Sequence, residues 1–249
     1  MIIGLDKRTF EMYICGARWL NLKMFYSLLN FFYPKLCISC GKVLLQTEHL
    51  LCLHCLHNLP ETRYHEFEDS PLTKLFMGRV AVENVGSFLF YKKGNQVQKI
   101  LHYLKYNGGK EMGAFLGNIY GMQLIEHDRW KTVDVIIPIP LHKKKEKKRG
   151  YNQSEWIAKG LSNGMQIPYC SNMLIRSEFT ETQTKKSRFH RWENVKEVFQ
   201  LVNPDALQNK HILICDDVLT TGATLEAAIQ KLQAAPSVKV SVVTLATAQ

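Results

Sequence analysis

The stretch HILICDDVLTTGATLEAA, residues 211–228, decides the fold. Residues 211–215 are strand formers, and they run straight into Asp216 and Asp217. A short polar turn holding Gly222 follows, and a helical pattern begins after it. A strand passing through a tight turn into a helix is the building unit of an α/β sheet. Ligands in such sheets bind at the carboxyl ends of the strands, where the two aspartates sit. Adjacent carboxylates repel each other, so their pairing needs a reason. Capping the helix would need one carboxylate and not two. Gly222 lets the backbone come close to a ligand. The turn's amides and the helix N-terminus suit a phosphate, and Thr220, Thr221 and Thr224 add hydroxyl donors. Phosphate binding beside two hydroxyl acceptors matches a ribose 5-phosphate: phosphate on Thr220, Thr221, Gly222, Ala223 and Thr224, sugar hydroxyls on Asp216 and Asp217.

Moving outward, TVDVIIPIPLH carries a continuous apolar strand from Val133 to Ile139, as expected of a strand buried on both faces of a parallel sheet. VENVGSFLFYKK has strand character. NQVQKILHYLKYNGGK has a helical stripe of Val97, Ile100, Leu101 and Leu104, ended by Asn107, Gly108 and Gly109. EMGAFLGNIYGMQLIEHD reads as a second amphipathic helix. KKKEKKRGYNQSEWIAKGLSNG reads as a basic loop and then a helix from about Asn152 to Leu161. QIPYCSNMLIR and VKVSVVTLATA read as strands, and TLEAAIQKLQAA as a helix. Strands alternating with helices give the α/β class.

The chain has 249 residues, room for one large domain with a small module beside it. Its net charge is +10, which favours polyanionic partners such as nucleic acid or phosphorylated small molecules. No apolar run approaches the roughly 20 residues of a bilayer-spanning helix, and the N-terminus lacks the order of a secretory signal, so a cytoplasmic location is expected. Cys37, Cys40, Cys52 and Cys55 form C-x2-C, eleven residues, C-x2-C. Two such knuckles bring four thiolates to one point, the tetrahedral geometry of structural Zn2+. Redox C-x-x-C pairs are the competing reading, but those usually open a helix after a strand. A closed four-thiolate site leaves no open position for chemistry, so the zinc is expected to be architectural.

The segment ILICDDVLTTGAT resembles the phosphoribosyl-pyrophosphate (PRPP) motif of type I phosphoribosyltransferases. The order of the four-cysteine module, LKYNGGK, IPIPLHKKKEKKRGYNQS, TETQTKKSRFHRWENV and the PRPP motif is similar to that of the ComF family, over about residues 24 to 247. Tyr151 stands where that family usually has Phe, and lysines replace several arginines, which weakens the expectation of bidentate phosphate contacts there. The resemblance implies a type I phosphoribosyltransferase-like parallel sheet flanked by helices, with a zinc-ribbon-like N-terminal module. It implies PRPP held with Mg2+, and a role in natural transformation, handling incoming single-stranded DNA, with other competence or DNA-processing proteins as further partners. Arg149, Gly150, Tyr151, Asn152 and Gln153 fall where such enzymes hold the diphosphate. Gln183, Lys185, Lys186, Arg188 and Arg191 fall where the family's mobile loop covers the site.

Lys143, Lys144, Lys145, Lys147 and Lys148 have two readings, a solvated charged loop or a contact to pyrophosphate or a nucleic-acid backbone. Lys105 recurs in the family pattern, but a lysine at a helix C-terminus is favourable on dipole grounds alone. The expected organisation is an N-terminal extension over 1–23, whose native status is open, with Met24 as an alternative start. A helix with the zinc module covers 24–60, a linker and edge strand 61–94, and the phosphoribosyltransferase-like domain 95–249. The expected activity is phosphoribosyl transfer with Asp216 and Asp217 at the reacting sugar. No residue identifies an acceptor. The alternative is a nucleic-acid-binding or PRPP-sensing protein that keeps the pocket without transfer.

Overall fold

The computed structural model describes residues 33–106, 108–176 and 198–248, in two compact units that meet between Asn58 and Leu59. In the first unit an antiparallel bridge joins Leu36 to Val43, and a short helix α1 spans Leu53–His57. Gly41 takes φ +76° as the amide of Gly41 donates to the carbonyl of Cys37 at 2.8 Å, which closes the first cysteine turn. The Glu48 carboxylate accepts from the amides of Leu45 (2.8 Å) and Leu53 (2.7 Å), tying the loop between the two cysteine pairs to the start of α1.

The second unit is built on a four-stranded, all-parallel sheet: β1 (Val85–Tyr91), β2 (Val135–Pro138), β5 (His211–Leu219) and β6 (Lys239–Ala248), in the order β1-β6-β5-β2. A separate two-stranded antiparallel ribbon pairs β3 (Leu174–Arg176) with β4 (Phe199–Leu201). β5 lies inside the sheet between β6 and β2, which is why residues 211–215 are uniformly apolar or buried. The helices are α2 (Gln96–Tyr106), α3 (Lys110–Leu124), α4 (Asp128–Lys131), α5 (Lys143–Arg149), α6 (Gln153–Met165) and α7 (Ala223–Leu232). The apolar stripe expected on α2 is buried at Val97, Ile100, Leu101 and Leu104. Residues between Pro60 and Phe76 lie on the sheet: the amide of Thr62 donates to the carbonyl of Phe88, that of Phe90 to Pro60, and Leu72 and Phe76 enter the core.

Two expectations change. The basic stretch 143–149 is helix α5 and not a loop. Lysine, glutamate and arginine are good helix formers. The Nδ1 of His142 caps the helix by accepting from the amide of Lys144 at 3.1 Å, and Gly150 at φ +81° ends it. Conversely, the strand expected over 166–176 contracts to Leu174–Arg176. Pro168 has no amide proton to donate to a ladder. Tyr169 makes only an isolated bridge to Ile136.

The main helix pair, α3 and α6, meets through glycines. A Cβ placed on Gly160 would lie 2.2 Å from the Ala114 carbonyl oxygen, and one on Gly117 would lie 2.5 Å from that of Ile157. Backbones approach so closely that no side chain fits. This contact fixes where α6 begins, and so where the residues before it stand.

Candidate functional site

Asp216 and Asp217 lie in the C-terminal half of β5, half-buried, and different helices partner them. The hydroxyl of Ser154, in the first turn of α6, donates to Asp216 Oδ1 at 2.8 Å. The amide of Asp217 donates to the same oxygen at 2.8 Å. Lys105 Nζ, in the last turn of α2, lies 3.1 Å from Asp217 Oδ2. Burial, and then the neighbouring Asp217 charge, push the Asp216 carboxyl up to about 7. Lys105 counters this in part by placing a positive charge beside the pair. Asp216 Oδ2 and Asp217 Oδ1 have no protein partner among the described residues. Two free carboxylate oxygens suit sugar hydroxyls or the hydrated oxygen shell of Mg2+.

Beyond β5 the chain turns at Thr220 and Thr221, both exposed, into Gly222 at φ +76°. Only glycine takes that conformation without strain. α7 begins at Ala223, and the first helical hydrogen bond runs from the amide of Glu226 to the carbonyl of Gly222. The amides ahead of it are left for a ligand, apart from a long 3.5 Å contact of the Ala223 amide to the Thr221 hydroxyl. Two side chains hold the turn. Thr247 Oγ1 donates to the carbonyl of Leu219 at 3.3 Å, and Arg79 Nη1 reaches the Thr221 carbonyl at 3.4 Å and Glu226 at 3.2 Å.

The Ser154–Asp216 bond sets residues 149–153 beside the end of β5, although the two segments lie 62 residues apart in sequence. The five residues divide their work. Asn152 is spent on the fold: Oδ1 caps α6 by accepting from the Ser154 amide, and Nδ2 donates to the Ile139 carbonyl at 2.9 Å. The Tyr151 hydroxyl donates to the Leu104 carbonyl. Arg149 Nη1 donates to Gln153 Oε1 at 2.8 Å, with its guanidinium over the Tyr106 ring at 5.9 Å. Gln153 Nε2 is buried and has no partner in the described structure. Free donors therefore remain on Arg149 and Gln153, beside the left-handed turn at Gly150. Lys143, Lys144, Lys145, Lys147 and Lys148 are exposed on α5. Gln183, Lys185, Lys186, Arg188 and Arg191 lie outside the described residues.

In the first unit the sulfurs of Cys37, Cys40, Cys52 and Cys55 all lie within 4.8 Å of one another. Zn–S bonds of about 2.3 Å in a tetrahedron need sulfurs about 3.8 Å apart, so the cluster fits zinc with a small contraction. The Cys40–Cys52 pair is already at 3.7 Å. Burial pushes the Cys55 thiol up to about 12, so a metal entering the cluster displaces at least one proton.

Sequence reasoning missed Ser154 and Arg79 and left Lys105 undecided. Ser154 sat next to the segment singled out, but nothing local marks a serine as a partner of an acid 62 residues away. The lysine was flagged by its place in LKYNGG, and its contact with Asp217 is what no local pattern records.

Residues 152–249 match the phosphoribosyl transferase domain family, and with the parallel sheet and the loops at its carboxyl end they define a phosphoribosyltransferase-like domain. The DNA utilization protein YhgH of Shigella flexneri is 27% identical over 200 residues, covering 79% of this chain and 83% of that protein. Competence protein ComFC of Bacillus subtilis is 37% identical over 98 residues, covering 39% of this chain and 38% of that protein. The chain is similar to these two proteins over those stretches. Among solved structures, the PRPP amidotransferase of B. subtilis matches with a TM-score of 0.37 and 20% identity over 53% of this chain, which spans only about a quarter of that enzyme (26%).

Proposed function

We propose that this competence-related, phosphoribosyltransferase-like protein binds PRPP or a close ribose phosphate at the end of β5. The observation that carries the reading is the meeting of three parts. These are the Asp216–Asp217 pair, the Thr220–Thr224 turn with its free amides, and the donors of Arg149 and Gln153, joined through the Ser154–Asp216 bond. In this arrangement the 5-phosphate rests on the amides of residues 222–224 and the threonine hydroxyls. The ribose diol donates to the free oxygens of Asp216 and Asp217. Arg149 and Gln153 Nε2 face the diphosphate. The free carboxylate oxygens of Asp216 and Asp217 would hold the hydrated shell of a Mg2+ ion, which would supply positive charge against the diphosphate. Transfer at the anomeric carbon needs stabilisation of a positively charged sugar more than covalent help, and the two carboxylates supply negative charge there. The four cysteines of the first unit would hold Zn2+ as a structural cofactor.

Calorimetry with PRPP and Mg2+ tests the site. Micromolar binding by the wild type and its loss in Asp216→Ala/Asp217→Ala is expected; unchanged binding in that variant overturns the assignment. Turnover of labelled PRPP, with and without single-stranded DNA, then separates transfer from binding alone. The exposed lysines of α5 favour a second, compatible reading in which a nucleic-acid backbone runs past the mouth of the pocket. Pyrophosphate release only when DNA is present would unite the two. Salt-sensitive DNA binding without turnover would favour the binding module.

A further inference from the structure

Residues 103–106 and 108–110, at the end of α2 and the start of α3, were given no ligand in the ribose-phosphate reading, yet they contact both halves of that pocket. Their lysine reaches the carboxylate end: Lys105 Nζ is 3.1 Å from Asp217 Oδ2, and both side chains are largely enclosed, at 28% and 18% exposure. Their other contacts reach the diphosphate half. The Leu104 carbonyl accepts the Tyr151 hydroxyl, the Tyr106 ring lies under the Arg149 guanidinium, and Lys110 Nζ sits 5.5 Å from the centre of the Tyr151 ring. Gly109 has no room for a side chain. A Cβ on Gly109 would lie 2.7 Å from the Tyr103 carbonyl oxygen and 2.8 Å from the Leu104 Cα.

We infer that residues 103–106 and 108–110 form the third wall of the pocket and that Lys105 is a positioning residue, the resident counter-cation of the aspartate pair. Two adjacent carboxylates facing a polyanionic ligand need positive charge at the sugar end as well as at the diphosphate. Lys105 supplies one such charge from the protein. It also fixes Asp217 through Oδ2, so that Oδ1 is left pointing free for the ligand. Asp216 is held in the same way through Oδ1 by Ser154, which leaves its Oδ2 free. The two acids are thus oriented by one partner each, from two helices, and each presents one oxygen. A lysine placed only to complement a helix end would gain nothing from this geometry and would stay in solvent.

This inference rests on the ribose-phosphate reading. The experiment is calorimetry of PRPP, and separately of ribose 5-phosphate, across a Mg2+ series for wild type, Lys105→Met and Lys105→Arg, each checked for an unaltered thermal transition. Lys105→Met is expected to weaken both ligands at least tenfold, the usual loss when a group orienting a ligating carboxylate is removed. It should also raise the Mg2+ concentration needed for half-maximal PRPP binding, because the metal must then neutralise what the lysine did. Lys105→Arg, which keeps the charge, should recover most of the affinity and the wild-type Mg2+ dependence. Equal affinity and equal Mg2+ dependence in wild type and Lys105→Met overturn the role of Lys105 and leave the pocket reading standing. Uniform weakening with no change in Mg2+ dependence and no rescue by arginine also overturns it, because packing alone would do that. Absence of PRPP binding by the wild type defeats the pocket reading itself.

Discussion

The substitution Asp216→Asn is expected to stabilise the second unit while removing its ligand affinity. The Asp216 carboxyl is pushed from its ordinary 3.8 to about 7, first by burial and then by the Asp217 charge. At 1.36 kcal/mol for each tenfold change in acidity, holding this group ionised costs the fold up to about 4 kcal/mol above pH 7. Because the side chain is only half-buried, water screens part of that cost, and about 2 kcal/mol is the working figure. Asparagine keeps the Oδ1 acceptor for Ser154 and for the Asp217 amide. Its new amide protons fall on the open side, where Oδ2 has no described protein partner. The sign follows from proton binding. Between pH 4 and 7 the folded protein holds a proton on Asp216 that the unfolded chain has released, so this group's contribution to stability falls as pH rises through that window. Asp216→Asn abolishes that dependence. Urea unfolding followed by tryptophan fluorescence, in which the buried Trp130 reports on the second unit, should show the two proteins converging near pH 4. At pH 8 the variant should lead by about 2 kcal/mol. A variant less stable than wild type at pH 8, or a difference that does not change with pH, would refute the reasoning about charge at this strand end.

Other expectations follow from separate parts of the molecule. Cys37→Ser, or a strong chelator, should remove one equivalent of zinc by metal analysis and abolish folding of the unit ending at Asn58. The thermal transition of the unit from Leu59 onward should survive, since each has its own packing. Gly160→Ala would press a methyl against the backbone of Ala114 and Asn118, at 2.2 and 2.8 Å. A loss of about 3 kcal/mol and a melting temperature lower by roughly 6 to 12 °C are expected, checked by calorimetric scanning. An unchanged melting temperature would mean that α3 and α6 separate without cost. Replacing Lys143, Lys144, Lys145, Lys147 and Lys148 by glutamine should lower the slope of log affinity for single-stranded DNA against log salt by about 2 to 3, with PRPP binding retained. An unchanged slope would place the DNA contact elsewhere.

The sequence by itself determined the parts whose signals are local. Consecutive apolar residues before Asp216 marked a buried parallel strand, because a strand covered on both faces has no polar side. The acid pair, Gly222 and the threonines marked the turn from β5 into α7, because a tight turn into a helix needs a residue free to take positive φ and leaves amides unpaired. The cysteine spacing marked a four-sulfur cluster for the same reason: the chemistry is contained in two short turns. Even where a local rule misled, as at the lysine run read as a loop, the correction was local too, since His142 and Gly150 cap that helix at its ends. Only the tertiary structure decided the strand order β1-β6-β5-β2, which depends on crossovers that no periodicity records. It also decided which polar residues serve the acids. Ser154, Lys105 and Arg79 reach the end of β5 because the glycine contact of α3 with α6, the end of α2 and the turn through Phe76 carry them there. Periodicity in a sequence reports which face of an element is apolar; it holds no record of which distant element that face will meet.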